Sequence, residues 1–144
     1  MNKILVIESD GRSAGLIDAL QDAGFMAVNE TRSGDGLRTA VELVPQVIIV
    51  DENMPPLDGN EMVPLLRRFT DSLIIVKGEG RAASSAEALL QGADLYLVRS
   101  VTVMEILVRI RALLRRLSIA QEEASTKRGP ATDNGFDRKW SLLP

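Results

Sequence analysis

Residues 47–59 read VIIVDENMPPLDG, and this stretch decides how the rest of the chain is arranged. Four consecutive β-branched aliphatics, Val47, Ile48, Ile49 and Val50, suit a strand buried on both faces, as in a parallel sheet covered by helices. The strand closes on Asp51, at the carboxyl edge where open α/β sheets bind their ligands. Pro55, Pro56 and the Asp58-Gly59 pair can continue neither strand nor helix, so a loop follows.

Toward the N-terminus, Ile4 to Ile7 form a second aliphatic run that ends on Glu8, Ser9 and Asp10, bringing more acid to the same edge. Between the two runs, the apolar spacing predicts a helix from Ser13 to Ala23, stopped by Gly24, and a brief strand from Phe25 to Asn29. Ser33-Gly34-Asp35 reads as a loop and N-cap before a second helix that ends ahead of Pro45. Toward the C-terminus a helix is expected over Glu61 to Phe69, with Pro64 in its first turn. A strand from Leu73 to Val76 then terminates on Lys77-Gly78. Ser84 or Ser85 caps a helix running to Gln91, Gly92 stops it, and Leu95 to Val98 make a fifth strand. Thr102 to Leu117 carries the longest amphipathic pattern in the chain. Five strands alternating with five helices imply the α/β class: a doubly wound, five-stranded parallel sheet of flavodoxin-like order, a (βα)5 three-layer sandwich.

The tail changes character. Gln121 to Asp137 is rich in Glu, Ser, Thr, Lys, Gly, Pro and Asn, a composition that reads as a linker. Phe136 to Leu143 regains apolar residues, among them the only Trp. The expected organisation is one domain over 1–119 and a linker or tail over 120–144, read either as a solvated tail or one that folds back on the domain, or as the start of a further module whose remainder is missing.

With 144 residues, 45% of them hydrophobic, the chain suits one packed domain. The absence of Cys and His removes disulfides, thiolate chemistry, the usual general base and the usual transition-metal ligands. Carboxylate, amine, hydroxyl and backbone remain, a set suited to hard cations and phosphoryl groups. A net charge of −3 gives no general attraction to nucleic acid. Arg109, Arg111, Arg115 and Arg116 crowd the last helix without interleaved aromatics, so they read as a solvated face or dimer salt bridges. No apolar run reaches spanning length, and Met1-Asn2-Lys3 leads straight into a strand, so a cytoplasmic protein is expected.

The pattern D-x-x-M-P-x-x-D-G, carried by Asp51, Met54, Pro55, Asp58 and Gly59, resembles the phosphoacceptor strand and loop of response-regulator receiver domains. The resemblance extends from Lys3 to Leu117. It implies a signal-receiving module of a two-component pathway, not an ordinary enzyme, with Asp51 as the phosphoacceptor candidate. In that family an acid pair after the first strand and the acceptor Asp hold magnesium, while a hydroxyl residue and a lysine bind the phosphoryl oxygens. Such chemistry is mainly positioning and charge neutralisation. The metal positions correspond to Glu8, Asp10, Asp51 and the carbonyl of Asn53, and Tyr96 falls on the aromatic switch position.

Four positions depart from the family. Glu8 and Ser9 stand where two acids are usual, Lys77 replaces the hydroxyl residue, Arg99 the lysine and Ser100 the proline. A family pocket has about three acids and one base, leaving about two negative charges for a divalent ion. Here Glu8 and Asp51 face Lys77 and Arg99, so magnesium is expected to bind weakly or not at all. Lys77 is expected to place its ammonium beside Asp51 in the cation's stead and, with Tyr96, to set the switch. The leading expectation is an atypical receiver, phosphorylation-independent or weakly phosphorylated. The alternative is a conventional regulator phosphorylated on Asp51 by a histidine kinase, with Arg99 as phosphate clamp, controlling an output such as transcription. Expected partners are a histidine kinase or other signalling protein, a second copy through the fourth and fifth helices, and a C-terminal output domain. An aspartate phosphatase would want an acid where Asn53 stands. A nucleotide binder would want a phosphate-cradling loop where Glu8-Ser9-Asp10 stand.

Overall fold

The computed structural model describes residues 2–9, 14–54, 57 and 59–128. The strands are β1 (Lys3–Ile7), β2 (Met26–Glu30), β3 (Val47–Asp51), β4 (Leu73–Gly78) and β5 (Leu95–Val98). The helices are α1 (Ala14–Asp22), α2 (Ser33–Leu43), α3 (Gly59–Phe69), α4 (Ala82–Gln91) and α5 (Val103–Arg128). All neighbouring strands pair in parallel, in the order β2-β1-β3-β4-β5. The doubly wound architecture expected from the alternation of runs is therefore present.

Each aliphatic run is buried because the strands bear side chains on both faces of a covered sheet. Leu5, Ile7, Ile48, Val50, Ile74 and Val76 form one core face with Ala40 of α2, Met62, Val63 and Leu66 of α3, and Ala88 of α4. The alternate residues Ile4, Val6, Val47, Ile49 and Ile75 are just as completely buried on the other face. Each such side chain contributes about 1.5–3 kcal/mol relative to exposure, so β1, β3 and β4 form a rigid floor for whatever stands at their ends.

Several element limits differ from the sequence expectation. Helix α2 begins at Ser33 with Arg32 as its N-cap, so Ser33 is helical. Its hydroxyl accepts a hydrogen bond from the Leu57 amide, 3.1 Å away, and ties α2 to the loop after β3. Helix α3 begins at Gly59, which puts Pro64 in the second turn, where its missing N–H leaves the carbonyl of Asn60 without the usual donor. Helix α4 begins at Ala82 with Arg81 as N-cap, so Ser84 and Ser85 lie inside the first turn instead of capping it. Lys77 and Gly78 belong to β4 rather than following it. Helix α5 continues to Arg128, through residues whose composition reads as a linker. Ala, Gln, Glu and Lys in that segment are good helix formers even though they bury little. Val44 closes α2 with φ 50°, the left-handed conformation, in a β-branched residue that is 65% exposed.

The chain divides into two compact units, residues 1–108 and 109–144. The strands, α1 to α4 and the opening of α5 lie in the first. The expected apolar segment at Phe136 to Leu143 lies outside the described residues.

Candidate functional site

The carboxyl ends of β1, β3 and β4 stand side by side because the sheet order places β3 between the other two. Ile7 is level with Val50, and Asp51 is level with Lys77. Continuing the alternation, Glu8, Asp51 and Lys77 share one face of the sheet, that of Val6, Ile49 and Ile75. All three are buried, Glu8 and Asp51 almost completely.

A buried carboxylate needs a counter-charge or a set of donors, and each of the two has found a cation on the chain itself. Lys77 Nζ donates to Glu8 Oε1 at 2.7 Å. Arg99 Nη2 donates to Asp51 Oδ1 at 2.6 Å, and the same oxygen accepts the Asn53 amide at 2.8 Å. The other guanidinium nitrogen of Arg99 pairs with Glu79. Burial alone would lower the pKa of Arg99, but the hydrogen bonds and charges of Asp51 and Glu79 outweigh it and hold the guanidinium above its ordinary value. Arg99 is therefore cationic throughout the working pH range.

The inward orientation of Lys77 agrees with the sequence expectation; its ion-pair partner does not. The ammonium passes the register neighbour Asp51 and pairs with Glu8, on the strand beyond β3. Arg99, entering from the end of β5, takes the Asp51 carboxylate instead. Among the described residues, three buried side-chain atoms remain without a hydrogen bond: Glu8 Oε2, Arg99 Nε and Asn60 Oδ1. Among the described residues, no group of three or more carboxylates is gathered as a metal ion would require. Asp10, a candidate ligand from the sequence, lies outside the described residues, as do Pro55, Pro56 and Asp58 of the acceptor loop.

Sequence reasoning missed Glu52. It follows the acceptor directly, yet it is buried, on the opposite face from Asp51. Its carboxylate faces the Tyr96 hydroxyl at 3.3 and 3.4 Å and accepts the Glu79 amide at 3.1 Å. Tyr96, level with Val76 of β4, packs against the core and also accepts the Gly80 amide at 3.1 Å. Burial raises the Tyr96 pKa; the Gly80 amide opposes it, and the charge and hydrogen bond of Glu52 add to the rise against the charge of Arg99. Glu52 and Glu79 also line a polar hollow of about 300 Å³ with Asn53, Asn60, Arg81 and Ser84. Nothing in the spacing of Glu52 marks it out. The one legible signal is a charge placed immediately after a strand buried on both faces.

No described helix is long and apolar enough to cross a membrane. Comparison with known proteins bears on the site as a whole. The family model described as response regulator receiver domain matches residues 4–111. The transcriptional regulatory protein PrrA of Mycobacterium tuberculosis is 33% identical over 117 residues, covering 79% of this chain and 50% of that protein. The DNA-binding dual master transcriptional regulator RpaA of Synechocystis is 30% identical over 151 residues, 97% of this chain and 63% of its own length. The chain thus spans about half the length of PrrA. Among solved structures, a CheY-like receiver domain protein from Methanospirillum hungatei superposes with a TM-score of 0.79 at 19% identity, covering 83% of this chain and 98% of that one. A receiver domain protein from Clostridium thermocellum gives 0.74 at 26% identity, covering 83% and 99%. With its acceptor-type aspartate at the end of β3 and the family model matched from β1 into α5, the chain belongs to the response-regulator receiver domain family.

Proposed function

We propose that this receiver acts as a signal-receiving and protein-interaction module whose conformation does not depend on phosphorylation of Asp51. The observation that carries the reading is that the two carboxylates on the Asp51 face of the sheet edge each pair with a chain cation, Glu8 with Lys77 and Asp51 with Arg99. A phosphoacceptor site needs spare negative charge to recruit a divalent ion, and the ion in turn offsets the charge of the transferred group. On that face Glu8 and Asp51 are matched by Lys77 and by Arg99, which is shared with Glu79, and Asp51 Oδ1 already accepts two hydrogen bonds. The described residues therefore do not fit a magnesium ion.

In this reading Lys77 and Arg99 stand in for the cation. Tyr96 occupies the switch position in one fixed setting, and the module recognises its partner through α4 and β5, where Leu89, Leu90 and Val98 are exposed. A histidine kinase or other signalling protein, or a second copy of the chain, is the kind of partner this surface serves. We assign residues 1–119 to the receiver and 120–144 to a segment leading toward an output module. The assignment is supported by PrrA and RpaA, whose names describe transcriptional regulators longer than this chain.

The test is incubation with a small phosphodonor and magnesium, followed by intact mass measurement and by calorimetric titration with magnesium alone. No adduct and no saturable magnesium uptake are expected. A mass increase of one phosphoryl group that disappears in Asp51→Ala would restore a conventional phosphoswitch with Arg99 as the phosphate clamp.

A further inference from the structure

We propose that Glu52 is a positioning residue that latches Tyr96 and, through it, the β4–α4 connection, holding the receiver in one setting by hydrogen bonds that involve no phosphoryl group. The inference rests on the functional reading above and names the residue that does the holding.

Three independent features point to a built latch rather than a chance contact. First, Glu52 buries a carboxylate that, among the described residues, pairs with no cation; donors satisfy it, namely the Tyr96 hydroxyl and the Glu79 amide. Such a group stays buried only when its hydrogen bonds are kept. Second, Gly78 makes room for it. A Cβ on Gly78 would collide with the Tyr96 hydroxyl and the Glu52 carboxylate, so the phenol and the carboxylate occupy the space of the missing side chain. Third, the first two residues of the connection after β4 are tied to this pair, Glu79 through its amide to Glu52 and Gly80 through its amide to the Tyr96 oxygen. Gly80 has a φ of +88° and a Cβ there would meet Val98 Cγ1 at 2.8 Å, so the connection is drawn tightly against β5.

The latch is anchored from the acceptor side as well. The Glu52 amide donates to the Lys77 carbonyl at 2.7 Å, and the Arg99 amide donates to the Gly78 carbonyl at 2.8 Å. The Arg99 side chain bridges Asp51 and Glu79. A continuous run of polar contacts thus links the Asp51 carboxylate to Glu79 and Gly80 of the β4–α4 connection, and every contact in it is made by the chain itself.

The test uses the full chain and compares Tyr96→Phe, Glu52→Gln and Glu52→Ala with the parent by amide hydrogen exchange. Loss of one hydrogen bond corresponds to an acceleration of about five- to tenfold where local opening governs exchange. Tyr96→Phe is expected to accelerate the Gly80 amide. Glu52→Ala is expected to accelerate both Glu79 and Gly80, with Glu52→Gln intermediate because its amide oxygen can still accept. Amides of Leu5 and Ile48 should be unchanged. Since Tyr96 is the only tyrosine, its ultraviolet titration supplies a second readout. Its midpoint should fall toward the ordinary value in Glu52→Gln. Unchanged exchange at Glu79 and Gly80, a uniform acceleration across the sheet, or an unmoved tyrosine titration would each overturn the latch. If Glu52→Ala does not fold, the two near-isosteric variants decide. Phosphodonor labelling of Asp51 would refute the functional reading without altering these exchange results, so the two failures are distinguishable.

Discussion

Replacing Lys77 by Met should be among the most damaging single changes at the sheet edge, and the structure sets the scale. Lys77 Nζ lies 2.7 Å from Glu8 Oε1, with the Glu8 side chain 0% exposed and that of Lys77 10% exposed. At an effective dielectric of about 20, the direct attraction at that distance is about 6 kcal/mol. Most of it is offset by the desolvation of both ions, so the net value of the pair is small. Removing one partner is a different matter, because it strands the other charge. Lys77→Met leaves a carboxylate with no route to water and should cost about 3–5 kcal/mol. Glu8→Gln leaves an ammonium on a long stem that already touches solvent, and should cost only about 1–2 kcal/mol. Combining Lys77→Met with Glu8→Gln removes the stranded charge and should recover most of the loss, to within about 1–2 kcal/mol of the parent. Urea unfolding at pH 7 measures all four corners of the cycle; for Lys77→Met the midpoint should fall by about 2 M. A Lys77→Met loss below about 1 kcal/mol, or additive single and double changes, would show that the ammonium is solvated and does not hold the pocket.

Val44→Gly should stabilise the protein by about 1 kcal/mol and raise Tm by about 4 °C, because Val44 holds a left-handed φ of 50° with no burial to compensate. A lower Tm on calorimetry would contradict this. Arg67→Lys should destabilise by about 1–3 kcal/mol in urea. The guanidinium bonds the Gly92 carbonyl at 2.9 Å, the Ser72 carbonyl at 2.5 Å and Asp94 at 2.7 Å, and an ammonium cannot reach all three. Because the folded state holds the Tyr96 proton more tightly than the unfolded state, the corresponding stability is full below the ordinary pKa of 10.0 and is lost as pH rises through the raised value. Thermal scans above pH 10 should therefore show a steeper decline for the parent than for Tyr96→Phe.

The sheet was legible from residues 47–50 and from the matching runs at 4–7 and 73–76, because strands buried on both faces leave no choice but aliphatic side chains. The position of Asp51 followed directly; whether Lys77 turns inward or reaches out to solvent was left open by the sequence. Which cation meets which carboxylate was not legible. Neighbouring strands lie about 4.8 Å apart, so a lysine on β4 can serve either β3 or, across it, β1, and packing rather than spacing decides. Glu52 was hidden for a related reason: its neighbour across the sheet face is the empty place at Gly78, and an absent side chain leaves no pattern. The extension of α5 to Arg128 was visible in helix propensity but masked by low hydrophobicity, which measures burial rather than backbone preference.

A counter-ion carried on a side chain differs from a dissolved one in a simple respect: it arrives with synthesis, one per molecule, and chelation or dilution cannot remove it. Occupancy at Glu8 and Asp51 by Lys77 and Arg99 is accordingly indifferent to the supply of metal in the surroundings. Under the function proposed above, what varies is how many copies of the chain exist and what they meet, so that abundance and encounter would take the place of chemistry at the sheet edge.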